Sequence, residues 1–239
     1  ETQVSVKNSN FLLEIPLPDG STQSFSIVEA PVMAPELSQR FPNIRAFAGQ
    51  GIEDPTATIR FDVTHKGFHA MVIGNAGTYF IDPYSRNSTE LYISYWKSEF
   101  YKTTTKVFDE LPPITSDMGM DVQKFDEGVE SKYSKPKHDR EVRSFGQKAS
   151  SGTQLRTYRL ALAGTGEYVA YHGGTVPDGI AAMNTSMVRV NGVYEREVAI
   201  RMVMVPNNDL LVYTNGGTDP YTNGNGGTML GENISNCNS

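Results

Sequence analysis

The sequence predicts an α+β fold in which a β-rich first part precedes a strand–helix–strand unit. Residues 11–108 alternate β-branched and aromatic residues with polar ones, between segments rich in Pro, Gly and Asn. Residues 176–194 carry apolar residues at steps of three and four, which predicts one buried helical stripe. The segments 155–163 and 198–205 on either side of it have the alternation of strands.

The composition excludes several classes of protein. The chain has 239 residues, 38% of them hydrophobic, which suits one large or two modest domains. A net charge of −6 and a pI near 5.3 argue against a nucleic-acid partner, since phosphate-binding domains carry a basic face. Cys237 is the single cysteine, so an internal disulfide and a CxxC metal site are excluded. There is no apolar run of about 20 residues, so we expect no membrane span.

The first strands are predicted by their turns. Phe11–Leu17 and Ser24–Glu29 flank Pro18-Asp19-Gly20-Ser21, where proline presets one φ and glycine accepts a positive one. We therefore expect a β-hairpin. Pro31–Phe41 follows with the spacing of a helical turn or two. A meander and two further strands come next: Thr58–Val63, Phe68–Ile73, Thr78–Ile81, Leu91–Tyr95 and Glu99–Thr105.

The pattern then changes twice along the chain. Residues 109–153 hold too few apolar residues to offset the entropy of ordering, so we predict a linker that is cleaved between about Lys135 and Thr153. Beyond it, Thr175 is the expected N-cap of the helix, and Pro177 suits its first turn. Gly192 marks either a close packing contact or the start of fraying.

The end of the chain completes the predicted topology. The two strands around the helix form a βαβ unit with parallel pairing. A short strand is predicted at Leu210–Thr214 and a helix start at Thr228.

Several tracts carry a resemblance to a known family. The runs 155–161, 166–168, 189–196 and 223–231 resemble the opening of the reprolysin-like metalloprotease domain of secreted bacterial enzymes. Upstream, residues 30–37 and 48–52 resemble the pro-regions that precede such domains. The resemblance runs from about Phe25 to Gly231. It implies a β-rich pro-domain at 1–108, a linker at 109–153, and an incomplete α/β (β-α-β) metzincin N-terminal subdomain at 154–239.

The catalytic motif of that family does not occur in the sequence. Metzincin chemistry needs H-E-x-x-H-x-x-G-x-x-H, which places two histidines one helical turn apart with a general base between them. The resemblance places this motif beyond Ser239, so no catalytic, cofactor-binding or metal-ligating residue is assigned to this chain. It implies zinc, and a structural calcium, for the complete enzyme.

The four histidines are candidates for a site. His65 and His69 have metal-ligand spacing on a helix, but Thr64–Gly67 predicts a turn between strands and there is no third ligand. His172 precedes Gly173-Gly174, where a structural histidine and a residue of a catalytic cleft are both open alternatives. His138 falls in the charged linker, and we expect it to be solvated.

The remaining candidates are weaker. Gly164-x-Gly166 matches half of a dinucleotide fingerprint without its helix or acidic partner. The resemblance implies that Glu167 is a calcium ligand. Acidic residues that could form an acid–base pair are by default solvated at the surface: Asp54, Asp62, Asp82 and Glu90.

Two functions from different classes follow. The first is the N-terminal part of a secreted zinc metalloendopeptidase precursor, whose signal peptide was removed before Glu1 and which is inactive alone. Its partners would be the rest of its catalytic domain and a protein or peptide substrate. The absence of a cysteine before Cys237 excludes a cysteine switch, and Asp117 or Asp121 could supply a blocking carboxylate. The alternative is a stand-alone inhibitor or chaperone that binds a protease, or a surface binding protein.

Overall fold

The computed structural model describes residues 9–85, 89–100 and 154–237, which belong to one compact unit. The described part of the chain is mixed α+β, as the sequence predicts. Its largest element is an antiparallel meander of seven strands, each paired with the next along the chain. The strands are β1 (Leu12–Pro16), β2 (Thr22–Glu29), β3 (Arg45–Gly51), β4 (Thr58–Thr64), β5 (Gly67–Gly74), β6 (Gly77–Pro83) and β7 (Tyr92–Trp96).

The first hairpin forms as predicted. Gly20 has φ of 86°, in the left-handed region that glycine adopts without strain. The side chain of Asp19 accepts a hydrogen bond from the backbone N–H of Ser21 at 2.9 Å, which closes the turn. Leu13 consequently pairs with Phe25 in the β1–β2 register.

Strand β3 was missed by the sequence analysis. It reads Arg-Ala-Phe-Ala-Gly-Gln-Gly, which lacks the β-branched residues typical of strands. The small residues are required by close packing, because a Cβ at Gly49 would lie 2.6 Å from Cγ2 of Ile59. The strand is therefore specified by its neighbours rather than by its own propensity.

The sheet curls so that its two edges approach each other. Oγ of Ser94, on β7, donates a hydrogen bond to the carbonyl of Pro16, on β1, at 3.2 Å. The concave face holds a core that includes an aromatic residue from β2, Phe25, which is fully buried. The other members of this core are Ile15, Ala57, Ile59, Phe61, Ala70, Val72, Tyr79 and Ile81.

The described part of the chain has four α-helices, and the longest of them, of 23 residues, packs on the other side of the sheet. They are α1 (Pro35–Arg40), α2 (Gly166–His172), α3 (Val176–Val198) and α4 (Gly226–Cys237). The side chain of Thr175 accepts a hydrogen bond from the N–H of Asp178, which confirms the predicted N-cap of α3. The second core joins α3 to residues of β3 and of the segment before it, including Ala46, Val32 and Leu37.

A parallel pair completes the fold. Strands β8 (Arg156–Leu160) and β9 (Ile200–Met204) are parallel and are connected through α2 and α3, as predicted for a βαβ unit. Met33, upstream of α1, makes a parallel bridge to Met204. The first hundred residues thus contribute both a sheet packed against α3 and a backbone contact to β9.

Some predicted elements are wrong. Asn208–Leu211 is a 3-10 helix where Leu210–Thr214 was expected to be a strand. The predicted strand Glu99–Thr105 begins on the last residue of the 3-10 helix Lys97–Glu99, and its residues 101–105 lie outside the described part of the chain. Helix α2 was not predicted. Tyr194, assigned to the buried stripe of α3, is 44% exposed. The other members of that stripe include Ile180, Met183 and Met187, which are buried.

Within the described residues, no helix is long and apolar enough to cross a membrane. The described residues do not include the predicted linker at 109–153, with its cleavage region and with Asp117, Asp121 and His138. The domain boundaries and the latency hypothesis therefore stay predictions.

Candidate functional site: a polar interface between the sheet and helix α3

Helix α3 packs against the convex face of the sheet and runs in the direction opposite to β4. Its first turn lies beside His65, just past the end of β4, and its sixth turn lies beside Arg60, near the start of that strand. We call this contact the polar interface, because charged and amide side chains bridge it along its whole length. Its members are Arg60, Asp62, His65, Lys66, His69 and Asp82 from the sheet side, and Asp178, Asn184, Thr185, Arg189 and Glu195 from α3.

At the first turn of α3, Asp178 is the centre of a cluster. Its Oδ1 lies 2.8 Å from Nε2 of His65 and 2.6 Å from Nζ of Lys66. Its Oδ2 accepts a hydrogen bond from Oγ1 of Thr175 at 2.6 Å. Burial alone would raise the pKa of Asp178, but the bonds from Lys66, Thr175 and His65 outweigh it and lower the pKa well below its usual range. The Asp178 carboxylate is therefore ionised at any physiological pH.

The middle of the interface holds a carboxylate that is completely buried. Asp62 is 0% exposed, and its Oδ2 accepts hydrogen bonds from Nδ2 of Asn184 at 3.2 Å and from Oγ1 of Thr185 at 2.7 Å. Its Oδ1 has no hydrogen-bond partner and lies 3.9 Å from Nδ1 of His69. Burial raises the pKa of Asp62 to about 6, against the opposing effect of the two hydrogen bonds.

His69 faces the same space with its own unpartnered nitrogen, Nδ1. Burial lowers the pKa of His69, so the ring is neutral at pH 7. The 3.9 Å between its Nδ1 and the Asp62 carboxylate is too long for a hydrogen bond. The pair therefore does not form the oriented carboxylate–histidine couple of a nucleophilic enzyme.

Beside this pair, Asp82 on β6 binds Arg189 of α3. The guanidinium donates to Oδ1 of Asp82 and lies over the ring of Phe80, with Cζ 5.0 Å from the ring centroid. Oδ2 of Asp82 accepts a hydrogen bond from the Tyr95 hydroxyl at 2.7 Å. Burial, together with that bond, raises the pKa of Tyr95 to about 12. Arg189 thus ties α3 to strands β6 and β7.

At the C-terminal end of α3, one carboxylate joins two arginines. Glu195 forms an ion pair with Arg60 of β4, and its Oε1 accepts from Nε of Arg201, on β9, at 2.7 Å. The side chains of Arg60 and Glu195 are 16% and 14% exposed, so this is a largely desolvated network. Glu195 therefore connects the seven-stranded sheet to the parallel pair through the helix.

Gly192 lies at the closest approach of α3 to the sheet. A Cβ at this position would be 2.7 Å from Cε of Met71 and 2.9 Å from Cγ of Arg60. The helix continues to Val198, so the glycine marks a packing contact, which is one of the two alternatives that the sequence left open.

A cavity of about 540 Å³ opens beside the polar interface. Its walls come from β5 and β6 and from α2 and α3, and they include His69, Asp82, Arg189 and His172. His172 sits at the end of α2 with its ring 4.5 Å from that of Tyr168 and 5.0 Å from that of Tyr171. The cavity walls carry both signs of charge. Of the hydroxyl groups in them, that of Thr185 donates to the Asp62 carboxylate and that of Ser186 to the carbonyl of Ala182.

The structure brings the predicted histidines to one region without grouping them as ligands. His65 lies in the turn after β4, as predicted, and is bound to Asp178. His69 lies on β5, and the ring of His172 packs against the rings of Tyr168 and Tyr171 at tilted and edge-on angles. Among the described residues no three His, Cys, Asp or Glu side chains are placed to hold a metal. These described residues do not fit a zinc ion.

The other candidates have structural roles. Asp62 was expected at the surface, and this expectation is wrong because it is buried beneath α3. Asp54 caps its own turn by accepting from the N–H of Thr56 at 2.9 Å. Gly166 begins α2 and packs against Gly216, since a Cβ there would lie 2.0 Å from the Gly216 nitrogen. The carboxyl of Glu167 lies against Gly216 as well, and the proposed calcium role stays a prediction.

Sequence analysis missed the α3 members of the polar interface. One signal was available: Asn184 and Asn191 lie seven residues apart, two helical turns, within an otherwise apolar stripe. Both are buried, and Asn191 exchanges two hydrogen bonds with the backbone of Met202 on β9. Amides on a buried face predict buried polar partners, because an unpaired buried amide is costly.

Comparison with known proteins gives a class for the second part of the chain. Residues 154–237, about a third of the chain, match the model of the reprolysin-like metallopeptidase family M12B. The match spans β8, α2, α3, β9 and α4, so this segment is metallopeptidase-related. No curated protein and no solved structure matches the chain significantly.

Proposed function

We propose that this chain is the N-terminal part of a secreted zinc metalloendopeptidase precursor. In this proposal, residues 9–100 belong to a pro-region, and residues 154–237 open the catalytic domain. The zinc-binding H-E-x-x-H-x-x-G-x-x-H motif belongs to the complete enzyme and is not in this sequence. The partners are the rest of the catalytic domain and, for the mature enzyme, a protein or peptide substrate.

The observation that carries the proposal is the polar interface. Its helix, α3, belongs to the segment that matches the metallopeptidase family, and its sheet belongs to the part of the chain that lies before the match. Ion pairs and hydrogen bonds bridge the contact along the length of the helix. The same contact includes the second core, where Val32, Leu37 and Ala46 pack with residues of α3, so the pro-region of this proposal holds the helix through apolar as well as polar contacts.

The same interface supports a role in holding the helix before the rest of the domain has folded. Helix α3 has 23 residues; its Asn184 bonds to Asp62 on β4, and its Asp178 bonds to His65 and Lys66 in the turn after β4 as well as to Thr175 at its own N-cap. Glu195 has one partner on the sheet and one on β9. A pro-region that supplies these partners stabilises a helix whose polar face would otherwise need water.

The reading frame after Ser239 tests the proposal directly. A continuation into the zinc-binding motif supports it. A stop codon immediately after Ser239 would overturn it and favour the alternative of a stand-alone inhibitor or chaperone.

An activity assay provides the second test. The purified chain, supplied with zinc, is expected to leave casein intact, because the described histidines are not grouped as metal ligands. The complete precursor, after cleavage between 135 and 153, is expected to hydrolyse casein and to lose that activity in a chelator. Chelator-sensitive hydrolysis by the 239-residue chain alone would contradict the proposal.

A further inference from the structure

A second cavity lies at one end of the curled sheet, on the concave face that α3 does not cover. It encloses about 280 Å³. Most of its wall is apolar or glycine backbone, and the strands that build it are β5, β6 and β7 together with the β1–β2 hairpin. The wall residues used below are Leu17, Val72, Gly74, Gly77, Tyr79 and Trp96.

Two aromatic rings form one corner of this cavity. The rings of Tyr79 and Trp96 meet at an interplanar angle of 76°, with centroids 5.5 Å apart. Tyr79 is 3% exposed, whereas Trp96 is only partly buried and remains open to the cavity. Gly77 lies beneath the indole, where a Cβ would be 3.7 Å from the ring. The glycine leaves the indole ring uncovered on the cavity side.

The wall also contains one buried polar pair. The Tyr79 hydroxyl donates a hydrogen bond to Oε1 of Gln23 at 3.3 Å, and Gln23 is 9% exposed. Burial and the negative charge of Asp19 raise the pKa of Tyr79, so its hydroxyl keeps its proton. A mostly apolar pocket with a few fixed polar groups has the composition of small-molecule sites, which also occur at the mouths of β-barrels.

The rim of the cavity is acidic. Glu53 and Asp54 line it: Oε2 of Glu53 accepts a hydrogen bond from the N–H of Ser24, and Oδ1 of Asp54 accepts from the N–H and the hydroxyl of Thr56. These bonds lower the pKa of both groups, so both are ionised at neutral pH. Oδ2 of Asp54 faces Gly74 at the cavity wall.

One cation lies near this rim. The positive charge of Arg196 acts on Asp54, and its Nη1 donates to the carbonyl of Ile73 at 2.9 Å. The carboxylates of Glu53 and Asp54 line the cavity, and the charge of Asp19 acts on Tyr79 in its wall. Among the described residues, Arg196 is the cation that acts on Asp54. The local charge at the mouth favours a positively charged ligand.

We propose that this pocket binds a small organic ammonium ion with an aromatic body, of the arylalkylamine class. The aromatic body fits between Leu17, Val72 and the Tyr79–Trp96 corner, where apolar surface is removed from water. The ammonium group lies at the rim, within reach of the carboxylates of Glu53 and Asp54. A cavity of about 150 Å³ holds benzene, so the larger volume here accommodates a phenyl ring with a short amine arm.

Trp96 provides the readout, because it is the single tryptophan of the chain. Its fluorescence is followed during titration of the full chain with three molecules of nearly equal size: phenethylamine, phenylethanol and phenylacetate. We expect a saturable change with the amine, whose dissociation constant is about threefold to fivefold lower than that of the neutral alcohol at low salt. The anionic acid is expected to bind most weakly.

Substitutions at the rim isolate the role of charge. Asp54→Asn combined with Glu53→Gln keeps the acceptor oxygens that the loop uses, and it is expected to equalise the affinities for amine and alcohol. Glu36→Gln, on α1, removes one negative charge elsewhere and is the matched control, with the amine preference retained. Thr22→Phe fills the mouth and is expected to weaken all three ligands.

Three results would overturn the proposal: no saturable response with any of the molecules, an order of affinity that ignores ligand charge, or an amine preference that survives the double substitution. If the double variant fails to fold, the salt dependence of the wild-type chain decides the matter. The amine preference is expected to fall as salt rises, and a preference independent of salt would count against the proposal. These outcomes are independent of the peptidase proposal.

Discussion

The Asp62 carboxylate of β4 and the Asn184 amide of α3 lie 3.2 Å apart, and both residues are 0% exposed. A buried carboxylate with one unpartnered oxygen is costly when it is ionised. The centre of the polar interface is therefore sensitive to charge, and substitutions there separate its electrostatic and packing contributions.

Asp62→Asn is expected to stabilise the chain at pH 8 by about 1–3 kcal/mol. The pKa of Asp62 is raised to about 6 in the folded chain, so the stabilisation from its proton is complete below its unfolded pKa and is lost as pH rises through 6. An uncharged asparagine does not lose stability in this way as pH rises, and its side-chain oxygen still accepts hydrogen bonds from Asn184 and Thr185. Urea unfolding at pH 5 and pH 8 measures the difference.

The control for this substitution is Glu29→Gln, which breaks the exposed pair with Arg45 and is expected to change stability little at either pH. A destabilised Asp62→Asn chain at pH 8 would show that the negative charge itself holds the interface together.

Asp178→Asn is expected to change stability in the opposite direction from Asp62→Asn. The pKa of Asp178 is lowered in the folded chain, so its contribution is present above its unfolded pKa and is lost as pH falls towards the lower folded value. At pH 7 the substitution weakens the contacts with His65 and Lys66 and should destabilise by about 1–3 kcal/mol. At pH 3 the difference from wild type should shrink. Equal destabilisation at both values would assign the effect to packing.

Gly192→Leu is expected to destabilise the chain by about 2 kcal/mol or more, because the side chain has to displace Met71 and Arg60 from the contact between α3 and the sheet. Gly231→Leu is the matched control, since Gly231 lies in α4 with nothing within 4 Å of an added Cβ. Its helix propensity should make that change neutral or stabilising. Thermal unfolding of the two variants compares them, and similar melting temperatures would argue against close packing at Gly192.

Glu195→Gln is expected to destabilise by about 2–4 kcal/mol, because it leaves the guanidinium groups of Arg60 and Arg201 without their shared counter-charge. The double variant Glu195→Gln, Arg60→Met should recover part of that loss, since the pair is then replaced by groups that need no compensation. Denaturant unfolding of the single and double variants provides the measurement. No recovery in the double variant would indicate that Arg60 contributes mainly through its packed stem.

The elements that sequence analysis predicted correctly are those whose signals are local. The Pro18–Ser21 turn, the N-cap at Thr175 and the apolar stripe through Ile180 and Met187 each depend on residues close together in the chain. Strand β3 and helix α2 were missed because their residues have weak propensities and are fixed by packing. The glycines at positions 49 and 166, for example, are required by neighbours at Ile59 and Gly216.

The candidate site was harder to predict than the fold. Asp62 and Asn184 are 122 positions apart, and His65 and Asp178 are 113 apart. The residues next to Asp62 or His65 in the sequence do not identify the partner on α3, because each pairing depends on how α3 lies across β4. The histidines were chosen as candidates from their chemistry, and their true partners, carboxylates and tyrosine rings, emerge only from tertiary structure.

The backbone bridge between Met33 and Met204 would still join the two parts of the chain after cleavage between them. On one side of Met204 its N–H donates to the carbonyl of Val32 at 2.8 Å, and on the other its carbonyl accepts from the N–H of Ala34 at 2.9 Å. A protease that severed the connection between residues 100 and 154 would leave both bonds intact. The two fragments should therefore stay associated after cleavage, and release of the first fragment would be a separate step that breaks these backbone bonds together with the polar interface and the second core.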